Sequence, residues 1–263
     1  LAADPSVFVM GEGVDDPGGC FGTTLGLREE FGPERVFDLA LAENGCTGFA
    51  VGAAIAGMRP VFVHMRIDFT LMSMDQLVNH AAKWRYMFNG RQKVPLVVRC
   101  IIGRGWGSAA QHSQSLQGLY MHIPGLKVVM PASAYDAKGL LLASIADNNP
   151  IMFIEHRWLY AHQEPVPEGM YTVPLGRGRI RRPGRDITIV AVSHMVHESM
   201  KAAEALARQG VEAEVLDMCS VKPVDTELFL ASLSRTGRLV IADTAPGIGP
   251  FDTAGRTGDV VAG

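Results

Sequence analysis

The feature that most constrains this chain is an alternation. Short β-branched or apolar runs are separated by longer stretches with helical spacing of apolar residues, the pattern of a parallel sheet whose strands are joined by crossover helices. In the first half the strands read as SVFVM (6–10), RPVFVHM (59–65), VPLVVRCII (94–102), LKVVMP (126–131) and PIMFIEH (150–156). Between them TTLGLREEF (23–31), GFAVGAAIAG (48–57), SMDQLVNHAAKWRYMF (73–88), SQSLQGLYMH (113–122) and YDAKGLLLASIAD (135–147) carry helical spacing. Residues 161–186 are polar and rich in Pro and Gly, which resist both helix and central strand, so this stretch reads as a linker. Alternation then restarts with DITIVAVS, the amphipathic SMKAAEALARQG closed by a glycine, VEAEVLDM, a helix at DTELFLASLSRTG, and RLVIAD. The expectation is an α/β fold with two parallel-sheet-based domains, residues 1–160 and 187–263, on either side of the linker.

Composition narrows the classes of partner. With 263 residues, 48% of them hydrophobic, the chain can bury large cores and is not a disordered segment. Net charge is −3, and no long block of Lys or Arg forecasts nucleic acid or an anionic membrane. The basic cluster RGRIRRPGRD (177–186) reads as a solvated face, and no apolar run reaches the length of a membrane span. The four cysteines, Cys20, Cys46, Cys100 and Cys219, are scattered without metal-binding spacing, which fits buried thiols in a reducing compartment. The chain opens at LAADPSVFVM, already running into a strand, and closes in a Gly-rich segment, so both ends read as truncated.

One carboxylate stands out. In LALAENGCTGFAVGAAIAG (39–57) Glu43 is the single charge among small and apolar residues, at a strand-to-helix junction where open α/β sheets place ligands. Decoration of a helix N-terminus is the plain alternative. Leu39, Leu41, Phe49 and Val51 are expected to wall the carboxyl, and burial there raises its pKa and suits it to sharing a proton.

GEGVDDPGGCFGTTLGLREEFGPERVFDLALAENGCTGFAVGAAIAGMRPV, DFTLMSMDQLVNHAAKWRYMFNG and AAQHSQSLQGLYMHIPGLKVVMPASAYDAKGLLLASIADNNPIMFIE occur in this order. Together they resemble the β subunit of thiamine-diphosphate-dependent 2-oxoacid dehydrogenases, of the pyruvate and branched-chain type, within the transketolase-like superfamily. The resemblance implies a pyrimidine-binding domain followed by a transketolase C-terminal-like domain. It also implies an active site shared with an α subunit that holds the diphosphate and magnesium. The glutamate matched by Glu43 bonds the aminopyrimidine, and a carboxyl sharing its proton with that ring favours the tautomer able to activate the cofactor. Phe69 matches an aromatic stacked on the same ring, and Glu12 and Leu41 match pocket-lining residues. His112, after the glycine-rich GRGWGSAA, matches a histidine at the mouth of the site, near the substrate and the incoming lipoyl group. Backbone oxygens of Leu96, Ser144, Asp147 and Asn149 match a potassium site of some relatives.

The resemblance implies oxidative decarboxylation of a 2-oxoacid with acyl transfer to a lipoyl carrier. The partners implied are an α subunit, a second β subunit in an α2β2 heterotetramer, and a lipoyl acyltransferase core, with no nucleic acid and no membrane. The diphosphate motif Gly-Asp-Gly with Asn-Asn is absent from the 263 residues, so it is expected on the α subunit. The helix DQLVNHAAKWRYM is expected at a subunit contact. Bacterial cytoplasm is the expected compartment, with a mitochondrial matrix the alternative. The rival readings are a split transketolase-like subunit moving two-carbon units between sugar phosphates and a subunit that serves only assembly.

Overall fold

The computed structural model describes residues 1–16, 19–105 and 107–245. Two compact units interleave along the chain: residues 1–114, 123–127 and 143–154 form one, and residues 115–122, 128–142 and those from 155 onward form the other. Among the described residues the strands are β1 (Val7–Gly11), β2 (Val36–Asp38), β3 (Arg59–His64), β4 (Val97–Ile102), β5 (Lys127–Val129) and β6 (Ile151–His156). They continue as β7 (Arg179–Arg182), β8 (Ile187–Ala191), β9 (Ala213–Asp217), β10 (Ser220–Lys222) and β11 (Leu239–Ala242). The α-helices are α1 (Leu27–Phe31), α2 (Glu43–Ile55), α3 (Ala82–Met87), α4 (Gln117–His122), α5 (Ala134–Ala146), α6 (His194–Ala207) and α7 (Thr226–Thr236).

In the first unit the strands run in the order β6-β4-β3-β1-β2, with β1 parallel to β2 and β3, and β3 parallel to β4. A parallel sheet covered on both faces needs apolar side chains on both, which is why VFVMG is buried along its whole length and reads as a continuous apolar run. Gly11 is required where β1 meets β3, because a Cβ there would lie 2.3 Å from the Val63 carbonyl oxygen. That close approach delivers the next residue, Glu12, to the end of the sheet, its N–H 3.4 Å from the same oxygen.

The helical stretch expected over 73–88 is three different turns. A 3-10 segment (Ile67–Ser73) leads into a π-helix (Asp75–Ala81) and then α3. Leu77, Ala81 and Ala82 are the buried residues of the π-helix and α3, and the i+5 turn of a π-helix keeps Leu77 and Ala82 on one side. The helix expected at 48–57 begins five residues earlier, at Glu43, and β2 was not among the expected strands.

The second unit carries the sheet β11-β8-β9-β7, parallel except for β7, which runs antiparallel to β9. Strand β10 pairs antiparallel with β5 through Ser220 and Val129. Ile189, Ala203, Ala213 and Val215 form its core, covered by Met200 and Leu206 from α6. Helix α7 is bounded as its sequence indicates, with the Asp225 carboxylate accepting from Leu228 N–H and Gly237 closing it in the left-handed region.

Two expectations for residues 161–186 need correction. The segment is not wholly a linker, since β7 lies inside it, and its arginines are not simply solvated. Arg179 pairs with Asp136, Arg181 lies 3.8 Å from Asp217, Arg182 is 2.7 Å from Glu212, and Arg177 is 2.9 Å from Glu227. Asp136 and Asp217 are fully buried, so the guanidinium groups supply the countercharge that burial of a carboxylate demands. Asp136, Asp217 and Cys219 also bring ligand atoms within 4.8 Å of one another, but the two arginines already offset the two carboxylates. Burial and the neighbouring Asp217 push the Cys219 thiol up to about 12, which makes it inert. No helix among the described residues is long and apolar enough to cross a membrane.

Candidate active site

Glu43 opens α2 and is 7% exposed. Its backbone carbonyl is held by the hydroxyls of Thr47 (2.6 Å) and Ser73 (3.0 Å), which lie 2.7 Å from each other. Ser73 is the last residue of the 3-10 segment 67–73, so a hydroxyl pair ties that segment to the first turn of α2. The apolar wall expected around the carboxyl is only partly formed by this chain. Val51 is buried, but Leu41 is 82% and Phe49 56% exposed, so both stand at the surface and do not cover Glu43.

Glu12 follows β1 and is 8% exposed. Burial, then repulsion from Glu43, then repulsion from Asp38 push its carboxyl up to about 7. Asp38 ends β2 and accepts the Val14 N–H at 3.1 Å. The same two glutamates act after burial to raise the Cys46 thiol. Three acidic residues thus meet beyond the carboxyl ends of β1 and β2, the ligand-binding edge of an open α/β sheet. The sequence placed the raised carboxyl at Glu43; in the structure Glu12 carries one, because burial disfavours its charge and repulsion from Glu43 and Asp38 adds to that.

Phe69 and His112 touch. Their ring centroids are 5.2 Å apart with the planes at 86°, an edge-on contact. His112 is exposed and ends a short 3-10 turn, Ala110–His112. The segment before it uses left-handed backbone at Gly103, Gly105 and Gly107, and also at Ala109 (φ 54°, ψ −171°), a conformation that a residue with a Cβ adopts at a cost of about 1–3 kcal/mol. Gln114 anchors the far end, its backbone N–H (3.2 Å) and side-chain amide (2.9 Å) both donating to one Asp68 oxygen. The segment 67–73 therefore links Glu43, through Ser73, to Phe69 and His112. Asp68, Ser73 and Thr47 escaped the sequence reading, since nothing in their spacing marks them. Only the position of Asp68 beside Phe69 could have flagged one of them.

Three of the four oxygens named for potassium already accept hydrogen bonds within the chain. The Leu96 carbonyl accepts from Ile151 N–H, and the Ser144 carbonyl accepts from Asp147 N–H. The Arg59 guanidinium donates to the Ile145 (2.7 Å) and Asp147 (3.0 Å) carbonyls, so a positive charge already occupies one of the four named oxygens. Asn149 is engaged by Asp147 and Arg85.

The buried Glu12 and Glu43 at a sheet edge and the Phe69–His112 ring contact are thus joined through the segment 67–73. Residues 1–163 match the family described as transketolase, pyrimidine binding domain, and residues 176–254 match transketolase, C-terminal domain. The chain belongs to this family. It is 45% identical over 255 residues to the acetoin:2,6-dichlorophenolindophenol oxidoreductase subunit beta of Cupriavidus necator, covering 93% of this chain and 75% of the relative. It is likewise 45% identical over 243 residues to the pyruvate dehydrogenase E1 component subunit beta of Rickettsia felis, covering 92% and 74%. Among solved structures, a split gene transketolase in an inactive β4 tetramer aligns with a TM-score of 0.76 at 25% identity, over 94% of this chain and 76% of that one.

Proposed function

We propose that the chain is the β-type subunit of a thiamine-diphosphate-dependent 2-oxoacid dehydrogenase, active only with an α subunit. The observation that carries this is the buried Glu12–Glu43 pair, with a carboxyl raised to about 7, in a domain of the pyrimidine-binding family. An aminopyrimidine edge combines ring-nitrogen acceptors with an amino donor, and a carboxyl pair able to hold a proton near neutrality complements both. When bound, thiamine diphosphate supplies the nucleophilic carbon and the electron sink for decarboxylation.

The chain's own residues then have separate tasks. Glu43 exchanges a proton with the ring nitrogen, and Glu12 keeps that proton in the pair rather than losing it to water. Phe69 presents a flat apolar face to the ring, with Leu41 completing the pocket. His112, exposed on its short turn, orients the substrate carboxylate or passes a proton during acyl transfer. The diphosphate and magnesium fall to the α subunit. The exposed Leu41, Phe49 and Met72, with Tyr86 on α3 (89% exposed), support burial against an α subunit and a second β subunit in an α2β2 assembly. A lipoyl acyltransferase core receives the acyl group, and the compartment is bacterial cytoplasm or a mitochondrial matrix.

The identities favour the dehydrogenase over the split transketolase, 45% against 25%. A second substrate class is favoured by the acetoin oxidoreductase subunits of Cupriavidus necator and Bacillus subtilis, 45% and 46% identical. The test is to co-express the chain with its α partner and assay 2-oxoacids, acetoin and ketose phosphates with lipoyl and dye acceptors. Turnover of 2-oxoacids supports the proposal, turnover of acetoin alone replaces the substrate, and turnover of sugar phosphates alone overturns it.

A further inference from the structure

Immediately before Phe69 in the chain lies a buried ion pair to which the site has so far given no task. Arg66 and Asp68 have side chains 5% and 3% exposed, with Arg66 Nε 3.8 Å from Asp68 Oδ2. An apolar pair of similar volume would hold a core at least as well, because desolvating two charges offsets most of their attraction. What an apolar pair could not do is bind backbone polar groups. Arg66 Nη2 donates to the Gly103 carbonyl at 2.5 Å, and Asp68 Oδ1 accepts the backbone and side-chain amides of Gln114. Gly103 is the first residue after β4, and Gln114 follows His112 by two positions. One ion pair thus fastens both ends of the segment that presents His112. Asp68 also precedes Phe69, whose ring meets the imidazole.

We propose that Arg66 and Asp68 are positioning residues, a two-ended fastening that fixes the His112 imidazole against Phe69. The fastening explains how Ala109 is kept in its left-handed conformation: a strained residue persists where its surroundings over-determine it. The catalytic consequence rests on the role given to His112 above. The fastening itself does not, and it has a readout in the chain alone.

Two variants separate fastening from folding. Gln114→Glu sets a carboxylate against Asp68 and leaves the buried pair intact, whereas Asp68→Asn removes the charge that faces Arg66 and is the variant more exposed to misfolding. In the full-length chain, hydrogen exchange of amides 107–113 is expected to rise at least tenfold in Gln114→Glu, with β4 protection unchanged. Wild-type protection of 107–113 in that variant overturns the fastening. In the assembly with the α subunit, Gln114→Glu should lower kcat by the same factor as His112→Ala, with KM for the 2-oxoacid moving less. Combining the two should lower kcat no further, and multiplication of the two losses would overturn the link to His112. If His112→Ala alone leaves turnover unchanged, the role of His112 in the proposed function is lost, and the exchange result alone decides the fastening.

Discussion

Each unit of this protein buries a pair of acids, and the two pairs are treated in opposite ways. Asp136 and Asp217 face the guanidinium groups of Arg179 and Arg181, so their charge is answered within the fold. Glu12 is faced by Glu43 and Asp38, and its carboxyl is pushed up to about 7 instead. Burial raises the carboxyls of both Asp217 and Glu12, and the neighbours then differ in sign: Arg181 and Arg179 pull Asp217 back, whereas Glu43 and Asp38 push Glu12 further. The arginine-matched carboxylate is held to the fold by its countercharges. A carboxylate matched to another carboxylate stays poised between two states, which proton transfer to a ligand requires.

The largest expected effect tests the poised pair. Glu43→Gln in the assembled enzyme should lower 2-oxoacid turnover by about 10²–10⁴-fold while leaving the urea midpoint of the chain unchanged. Near-normal turnover would place Glu43 with the structural acids. The converse holds for the matched pair: Asp136→Ala should destabilise the second unit by about 3–5 kcal/mol in urea unfolding, because it leaves a guanidinium without its countercharge. The double replacement Asp136→Leu with Arg179→Met should recover most of that loss, which would show that charge matching and not shape sets the requirement.

A third buried group extends the comparison to a base. His64 is 1% exposed, its ring nitrogens make no hydrogen bond among the described residues, and burial lowers its pKa to about 4. The unfolded chain binds this proton below about 6.5 and the folded chain only below about 4, so stability from this group is present above 6.5 and is lost as pH falls between those values. The loss amounts to about 3 kcal/mol, and His64→Phe should abolish it in a urea series from pH 7 to 4.

Glu12 shifts as far as His64, with the opposite sign. Its folded pKa lies above the ordinary value of 4.5, so its contribution is present below 4.5 and is lost as pH rises toward 7. Glu12→Gln should flatten that slope, and an unchanged slope would mean that another group produces it.

The alternation of strands and helices was legible because a buried parallel sheet leaves continuous apolar runs such as VFVMG, which periodicity detects directly. Strands β2, β7 and β10 were not, being short or polar: β7 is RIRR, whose arginines look like a solvated face until Asp136 and Asp217 lie opposite them. The π turn at Asp75–Ala81 escaped because apolar spacing does not distinguish it from an α-helix over so few residues. At the site, Glu43 stood out as a lone charge in an apolar run, and Phe69 and His112 by resemblance. Their physical coupling through Ser73 and Asp68 depends on contacts between residues 26 to 46 positions apart, which no local pattern encodes. The raised carboxyl at Glu12 is likewise a property of a meeting between strands and not of the Gly-Glu-Gly in which it sits.

The measurement that reaches the central claim most directly is a carbon-13 NMR titration of the glutamate carboxyls in the chain, compared with Glu12→Gln. A carboxyl resonance titrating near pH 7 in the native chain and missing from the variant is the expected result. If every glutamate carboxyl titrates below pH 5, the pair holds no proton at neutrality, and the acids beyond β1 and β2 are no more poised than those paired with arginine.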